Sequence, residues 1–256
     1  MATSKFFTAT AKPIITASIQ YGGTPGTTDF ANGDVLFDWT AFDIPKGSCL
    51  LRSVTTLVRP KGDATPTDNR FPFELVFSST NTVSLGTIAE APDHRPNNDI
   101  LGRVEFESEN YVHSGLGSTA VATSGKGSNS GTDVTPMVLT PDPTTGTNVG
   151  YDTLYVGAIA RDAFDWTTIN RINDANIATV SPGTTLVMSG TSMDIQEHFA
   201  VGDVLHAHDD AVIGTVASIT NSTTLELTEA IETGVLVHQD FVFNASPIIL
   251  KMSFER

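Results

Sequence analysis

Basic residues are scarce in this chain: 14 Lys and Arg stand against 29 Asp and Glu, a net charge of −15 with a pI near 4.5. Affinity for nucleic acid comes from clustered Lys and Arg that displace counterions from phosphates, so no nucleic-acid partner is expected. Cysteine is nearly absent. Cys49 alone can form neither an intrachain disulfide nor a cysteine-based metal site, and is expected to be a small apolar core residue rather than a nucleophile. No apolar run approaches the roughly 20 residues that span a bilayer, so no membrane partner is expected. The opening stretch Met1-Ala2-Thr3-Ser4-Lys5-Phe6-Phe7 has one early cation but no long apolar segment or small-residue cleavage site. The expectation is synthesis and folding in a cytoplasm rather than secretion.

The residue patterns that carry catalysis are missing as well. The sequence holds no Gly-x-Ser-x-Gly elbow, no Walker loop, no His-Glu-x-x-His and no strand-to-helix glycine fingerprint. Gly115-Leu116-Gly117-Ser118 begins like such a fingerprint but opens into a Ser-Thr loop. Glu105, Glu107 and Glu109 alternate with other residues and read as the solvated face of one strand. Glycoside hydrolysis instead needs two carboxylates facing each other across a cleft. His206 and His208 would share one strand face beside Asp209 and Asp210, with His198 upstream, which makes His206, His208 and Asp209 the candidate metal ligands. A third ligand in fixed geometry is not evident, so a polar hairpin end is the favoured reading and no cofactor is expected. Trp39, Trp166, Tyr111, Tyr151 and Tyr155 are the aromatic residues that a sugar platform would need, but their scatter suits core and interface anchors better. The chain is expected not to be an enzyme.

What is present is strand signal. At 256 residues and 27.2 kDa the chain can bury a sizeable core. Short runs rich in Thr, Val, Ile and Phe are cut by Gly, Pro, Asn and Asp clusters. Strands are expected at Lys12–Tyr21, Val35–Trp39, Cys49–Arg59, Phe71–Phe77, Thr153–Ala160 and Ser246–Phe254, with Pro72 at an edge position or a strand start. Leu101–Val112 and Asp162–Ile172 each have room for a turn or two of helix, without a sustained apolar stripe. Ser114–Pro136 is Gly-Ser-Thr rich and, with Pro141–Thr147, is expected to be an exposed loop or arm. The expected fold is all-β, a jelly-roll-like β-sandwich over 1–176 and 244–256, with a small β-barrel module inserted at 177–243 and the last strand returning to the main sheet.

The module carries the most specific text: Val201-Gly202-Asp203-Val204-Leu205, then Gly214-Thr215-Val216-Ala217-Ser218-Ile219-Thr220-Asn221-Ser222-Thr223-Thr224-Leu225-Glu226-Leu227-Thr228-Glu229-Ala230. It reads as a chain of tight hairpins and resembles a small β-barrel repeat of phage structural proteins, both capsid-associated and tail-associated. The resemblance covers about a quarter of the chain. A second stretch, Phe42-Asp43-Ile44-Pro45-Lys46-Gly47-Ser48-Cys49-Leu50-Leu51-Arg52-Ser53-Val54, is similar to β-sandwich proteins of tailed phages of marine bacteria. These resemblances imply a virion structural protein made in the host cytoplasm. The leading form is a capsid decoration (cement) protein, a homo-oligomer with a trimer favoured, which bridges major capsid subunits. A tail, neck or fibre-attachment protein is the first alternative, and a carbohydrate-binding or polysaccharide-degrading protein the second.

Overall fold

A computed structural model describes residues 5–15, 29–59, 70–92, 98–112, 119–124, 137–142, 151–165, 171–173, 176–177, 183–189, 195–207, 209–232 and 241–256. Among the described residues the chain is all-β. Its strands are β1 (Phe6–Ala11), β2 (Asp29–Phe30), β3 (Val35–Asp43), β4 (Cys49–Val58), β5 (Phe73–Ser78), β6 (Ile100–Phe106), β7 (Tyr111–Val112), β8 (Ala120–Thr123), β9 (Met137–Leu139), β10 (Thr153–Ala160) and β11 (Phe164–Asp165). There follow β12 (Arg171–Asn173), β13 (Asn176–Ile177), β14 (Thr185–Ser189), the single helical turn α1 (Ile195–His198), β15 (Val204–Ala207), β16 (Val212–Asn221), β17 (Thr224–Leu227), β18 (Phe241–Asn244) and β19 (Ile248–Glu255).

Two antiparallel sheets form the main body. One has the order β1-β19-β4-β8-β7 with β9 beside β4, and the other β3-β10-β5-β6. If β1, β3, β4, β5, β6, β8, β10 and β19 are numbered from one in chain order, the sheets read 1-8-3-6 and 2-7-4-5. That is the strand order of a jelly roll, two Greek keys folded onto each other. Period-two alternation makes the layers stick: Ile248, Leu250, Met252 and Phe254 of β19 all face inward. Phe42 of β3 stacks on Phe254 of β19 at 6.1 Å and meets Phe77 of β5 edge-on at 6.3 Å, so one ring joins both layers.

Several expectations shift. The first strand is β1, N-terminal to the expected Lys12–Tyr21. Residues 12–15 are not strand, since Pro13 has no N–H for a ladder, and 16–21 lie outside the described residues. Pro72 precedes β5, which is a central strand, so it marks a strand start rather than an edge. Leu101–Val112 is mostly strand, followed by a 3-10 turn over Ser108–Asn110 that Glu107 and Asn110 cap reciprocally. Within the expected Ser114–Pro136 arm, the described part forms β8, with Ala120 and Ala122 buried. The rest of that arm, and Pro143–Thr147 of the second loop, lie outside the described residues.

The outer face of the β3-β10-β5-β6 sheet is covered by the chain's own segment at 79–92. Asp38 accepts hydrogen bonds from Leu85 N (2.7 Å) and Ser84 Oγ (2.7 Å), and Trp39 Nε1 donates to Val83 O at 2.9 Å. Gly157 lies beneath this flap, where a Cβ would lie 2.8 Å from the end of the Leu85 side chain and 3.3 Å from Trp39.

β12 to β18 form a third sheet, ordered β12-β18-β15-β16-β17-β14-β13. β16 pairs with β15 through its first half and with β17 through its second, with a register shift between Val216 and Ser218 where it bends. Leu186, Leu205, Ile213, Leu225 and Val242, with Ile195 and Phe199 from the α1 turn, fill a core separate from that of the sandwich. The strand path is open among the described residues, so the expected closed barrel is corrected to an open sheet. Its end strands, three and two residues long, are too short to complete a ladder.

A buried polar hub ties this sheet to the sandwich. Asp203 Oδ2 accepts from Arg59 Nη2 (3.0 Å), Ala200 N (2.9 Å) and Asn244 Nδ2 (2.7 Å), while Arg59 N donates to Pro247 O (2.9 Å) and Ile15 N to Ala245 O (2.9 Å). Removing the carboxylate strands a largely buried guanidinium and two further donors. Asp203→Ala is expected to cost about 3 kcal/mol and to split one calorimetric unfolding transition into two, because the two cores then lose their coupling.

Candidate functional site

The feature that stands out is the outer face of the β1-β19-β4-β8-β7 sheet. Cross-strand register assembles it in rows. Phe6, Glu255, Leu50 and Val138 align at one end, and Ile249, Leu57, Val121 and Val112 at the other. Between them lie Thr8, Ser253 and Ser53, then Thr10, Lys251, Thr55 and Thr123. Phe6, Val112 and Val138 are 73%, 65% and 62% exposed. The six strands contain one of the chain's 29 acids, Glu255, and that acid is paired with Arg52. Lys251 is their only other charge, and Lys5 and Arg256 stand at the rim. An acidic protein thus presents one flat face that is aliphatic, rich in Thr and Ser, and locally cationic. Such a surface suits protein contact, since charge is depleted where an interface is driest.

A recess of about 300 Å³ opens at the Phe6–Val138 end, lined by Ser48, Cys49, Leu50, Val138, Glu255 and Arg256. Burial pushes the Cys49 thiol up to about 11, against a smaller opposite pull from Arg256, so it is protonated at neutral pH and is not a thiolate nucleophile.

On the opposite sheet, Glu74 is 2% exposed near the start of the central strand β5, where sequence reasoning singled out nothing. Its carboxylate meets Arg103 Nη1 at 2.8 Å and Arg161 Nη1 at 3.5 Å, and Arg161 Nη2 reaches Glu105 at 3.5 Å. Of the expected carboxylate row, Glu105 lies on β6 directly across from Glu74, while Glu107 and Glu109 fall on the 3-10 turn. The expected face of three acids is therefore one acid held in a four-residue ion-pair network. The signal in sequence was a lone Glu in an otherwise apolar strand, Phe71–Phe77.

Of the candidate metal ligands, His206 and Asp209 are among the described residues. His206 points off β15 away from the core, and burial lowers its pKa below 6.5, opposed by the charge of Asp210 rather than of Asp209. Asp209 Oδ1 accepts from Ala211 N at 3.2 Å within the turn, and His208 lies outside the described residues. No cluster of three His, Cys, Asp or Glu is placed to hold a metal among the described residues. Of the aromatic candidates, Tyr111 and Tyr155 are buried, Trp39 lies under the flap, Tyr151 is half-buried, and Trp166 is outside the described residues. Among the described residues no helix is long and apolar enough to cross a membrane. Comparison with protein-family models, curated proteins and solved structures finds no match to this chain.

Two predictions follow from these side chains. Glu74→Gln releases two exposed arginines into water and is expected to cost about 1 kcal/mol. Arg103→Ala with Arg161→Ala removes the same contacts but leaves a buried carboxylate unpaired, and urea melts should show about 3 kcal/mol lost. For His206, the folded imidazole resists a proton that the unfolded chain accepts. Stability should therefore fall as pH drops through the ordinary value near 6.5 and be fully present above it. His206→Gln is expected to lose less melting temperature than the native chain between about pH 7.5 and 5.

Proposed function

We propose that this chain is a structural protein of a tailed-phage virion, a capsid decoration (cement) protein that sits on the shell through the outer face of its six-stranded sheet. The observation that carries this reading is the charge segregation: among the described residues Glu255 is the only acid on that sheet's strands, and it is paired. A shell protein needs one face that binds and another that keeps the particle soluble, and an acidic exterior supplies the second. The jelly-roll order is one that viral coat proteins use, and lectins use it too, so the fold supports the reading only as analogy. The hairpin text at 201–230 supplies the resemblance to phage structural proteins. Each copy would bind weakly, and reinforcement would come from many copies, arranged as trimers, that bridge major capsid subunits.

Density for the protein over the icosahedral lattice of its particle, at a copy number matching that lattice, is the expected result. Density confined to the tail or neck would move it to the tail, neck or fibre-attachment alternative. Val138→Glu, on an exposed side chain, should leave the melting temperature unchanged within error and abolish co-sedimentation with shells; undiminished binding would rule out this face as the seat.

A further inference from the structure

Among the described residues the sandwich has five edge strands, and four of them are guarded: β9, beside β4, is three residues long. β7 is two residues long. β6 carries Arg103 and Glu105, and Met137 packs against its Gly102. β3 is closed by the flap, through a bridge between Val35 and Ile88 and the bond from Val35 N to Glu90 O at 2.8 Å. Short strands, charges and covering loops are the usual means of preventing an edge from pairing with another chain.

Among the described residues β1 has none of these. Its residues Phe-Phe-Thr-Ala-Thr-Ala are uncharged, favour strand and contain no Pro or Gly. Lys5 and Arg256 exchange both backbone hydrogen bonds, Lys5 N to Arg256 O at 3.2 Å and Arg256 N to Lys5 O at 3.0 Å. In an antiparallel ladder this assigns the backbone groups of Phe7, Ala9 and Ala11 to β19, and those of Phe6, Thr8 and Thr10 to the open side. No strand among the described residues pairs with that side. Exposed lysines stand at both ends, Lys5 before the strand and Lys12 after it. Lys12 Nζ reaches only the Gly202 carbonyl, at 3.5 Å.

We infer that the open edge of β1 accepts an extended strand from another protein, one with an uncharged, β-branched centre and carboxylates at both ends. Main-chain bonds to Phe6, Thr8 and Thr10 supply the attachment, as in other strand-addition complexes, and Lys5 and Lys12 select for acid. The same charges argue against a second copy as occupant: an antiparallel pair of β1 strands brings four lysines to one seam. The inference rests on the virion reading only for which protein donates the strand, since peptide binding by the purified chain succeeds or fails regardless of where the protein resides.

The probe is the peptide Glu-Thr-Val-Thr-Val-Thr-Val-Glu with blocked ends, compared with the same peptide flanked by Lys. NMR titration of the full chain should show slowed amide exchange at Phe6, Thr8 and Thr10, with the Lys-flanked peptide about tenfold weaker. Thr8→Pro removes an N–H that β19 does not use, so its melting temperature should match the native chain while peptide binding is lost. If that variant does not fold, Thr10→Glu provides the same loss by repelling the acidic strand. Equal binding of both peptides, undiminished binding by the folded variants, or protection of these amides through self-association without peptide would each overturn the inference.

Discussion

The architecture depends on β19 lying between β1 and β4. That ladder is the seam of the jelly roll: it brings the last strand back beside the first after more than seventy residues of intervening module, and it buries Phe254 against Phe7 and Phe42. Non-local pairing of this kind is entropically costly to reach, and it is rewarded here by four inward apolar side chains on β19 together with a full set of ladder bonds. Without it β4 would lose its main partner, the six-stranded sheet would fall into fragments, and the rows of the outer face would not exist.

The Asp203 hub is the second constraint. It uses a carboxylate from a turn of the module, a guanidinium from the end of β4 and an amide from β18, and it sits where the chain passes from the module to β19. The seam and the hub therefore share a few residues, 244–248, so that the module's position and the closure of the sandwich are set together. A buried pair of this sort is a poor source of net stability but a good source of a single defined arrangement.

The two sandwich faces are treated in opposite ways. One is covered by the chain itself, with Trp39 and Leu85 packed against Gly157. The other has exposed apolar side chains, a single acid on its strands, and at its border the edge of β1, which no described strand pairs. An acidic protein with a single, paired acid on the strands of one sheet leaves that sheet as the place where contact is least opposed.

Much of the fold was legible in the sequence because side-chain alternation and turn residues act locally. The strands at Val35, Cys49, Thr153 and Ile248, and the module's hairpins, are marked by period-two patterns bounded by Gly, Pro and Asn. β1 was missed because Phe-Phe-Thr-Ala-Thr-Ala carries little hydrophobic alternation of its own and becomes a strand through β19. Glu107 and Glu109 were misplaced because a capping box, not periodicity, ends β6. What the sequence alone determined is the all-β class, the acidic balance and the lack of known catalytic motifs, all of which follow from composition and short-range pattern. Only the tertiary structure decided which residues share a face, that Glu74 is held by two arginines, and that, among the described residues, the module's strand path is open and β1 is a sheet edge. Those facts depend on register between strands as much as two hundred residues apart, and register is set by packing rather than by any local signal.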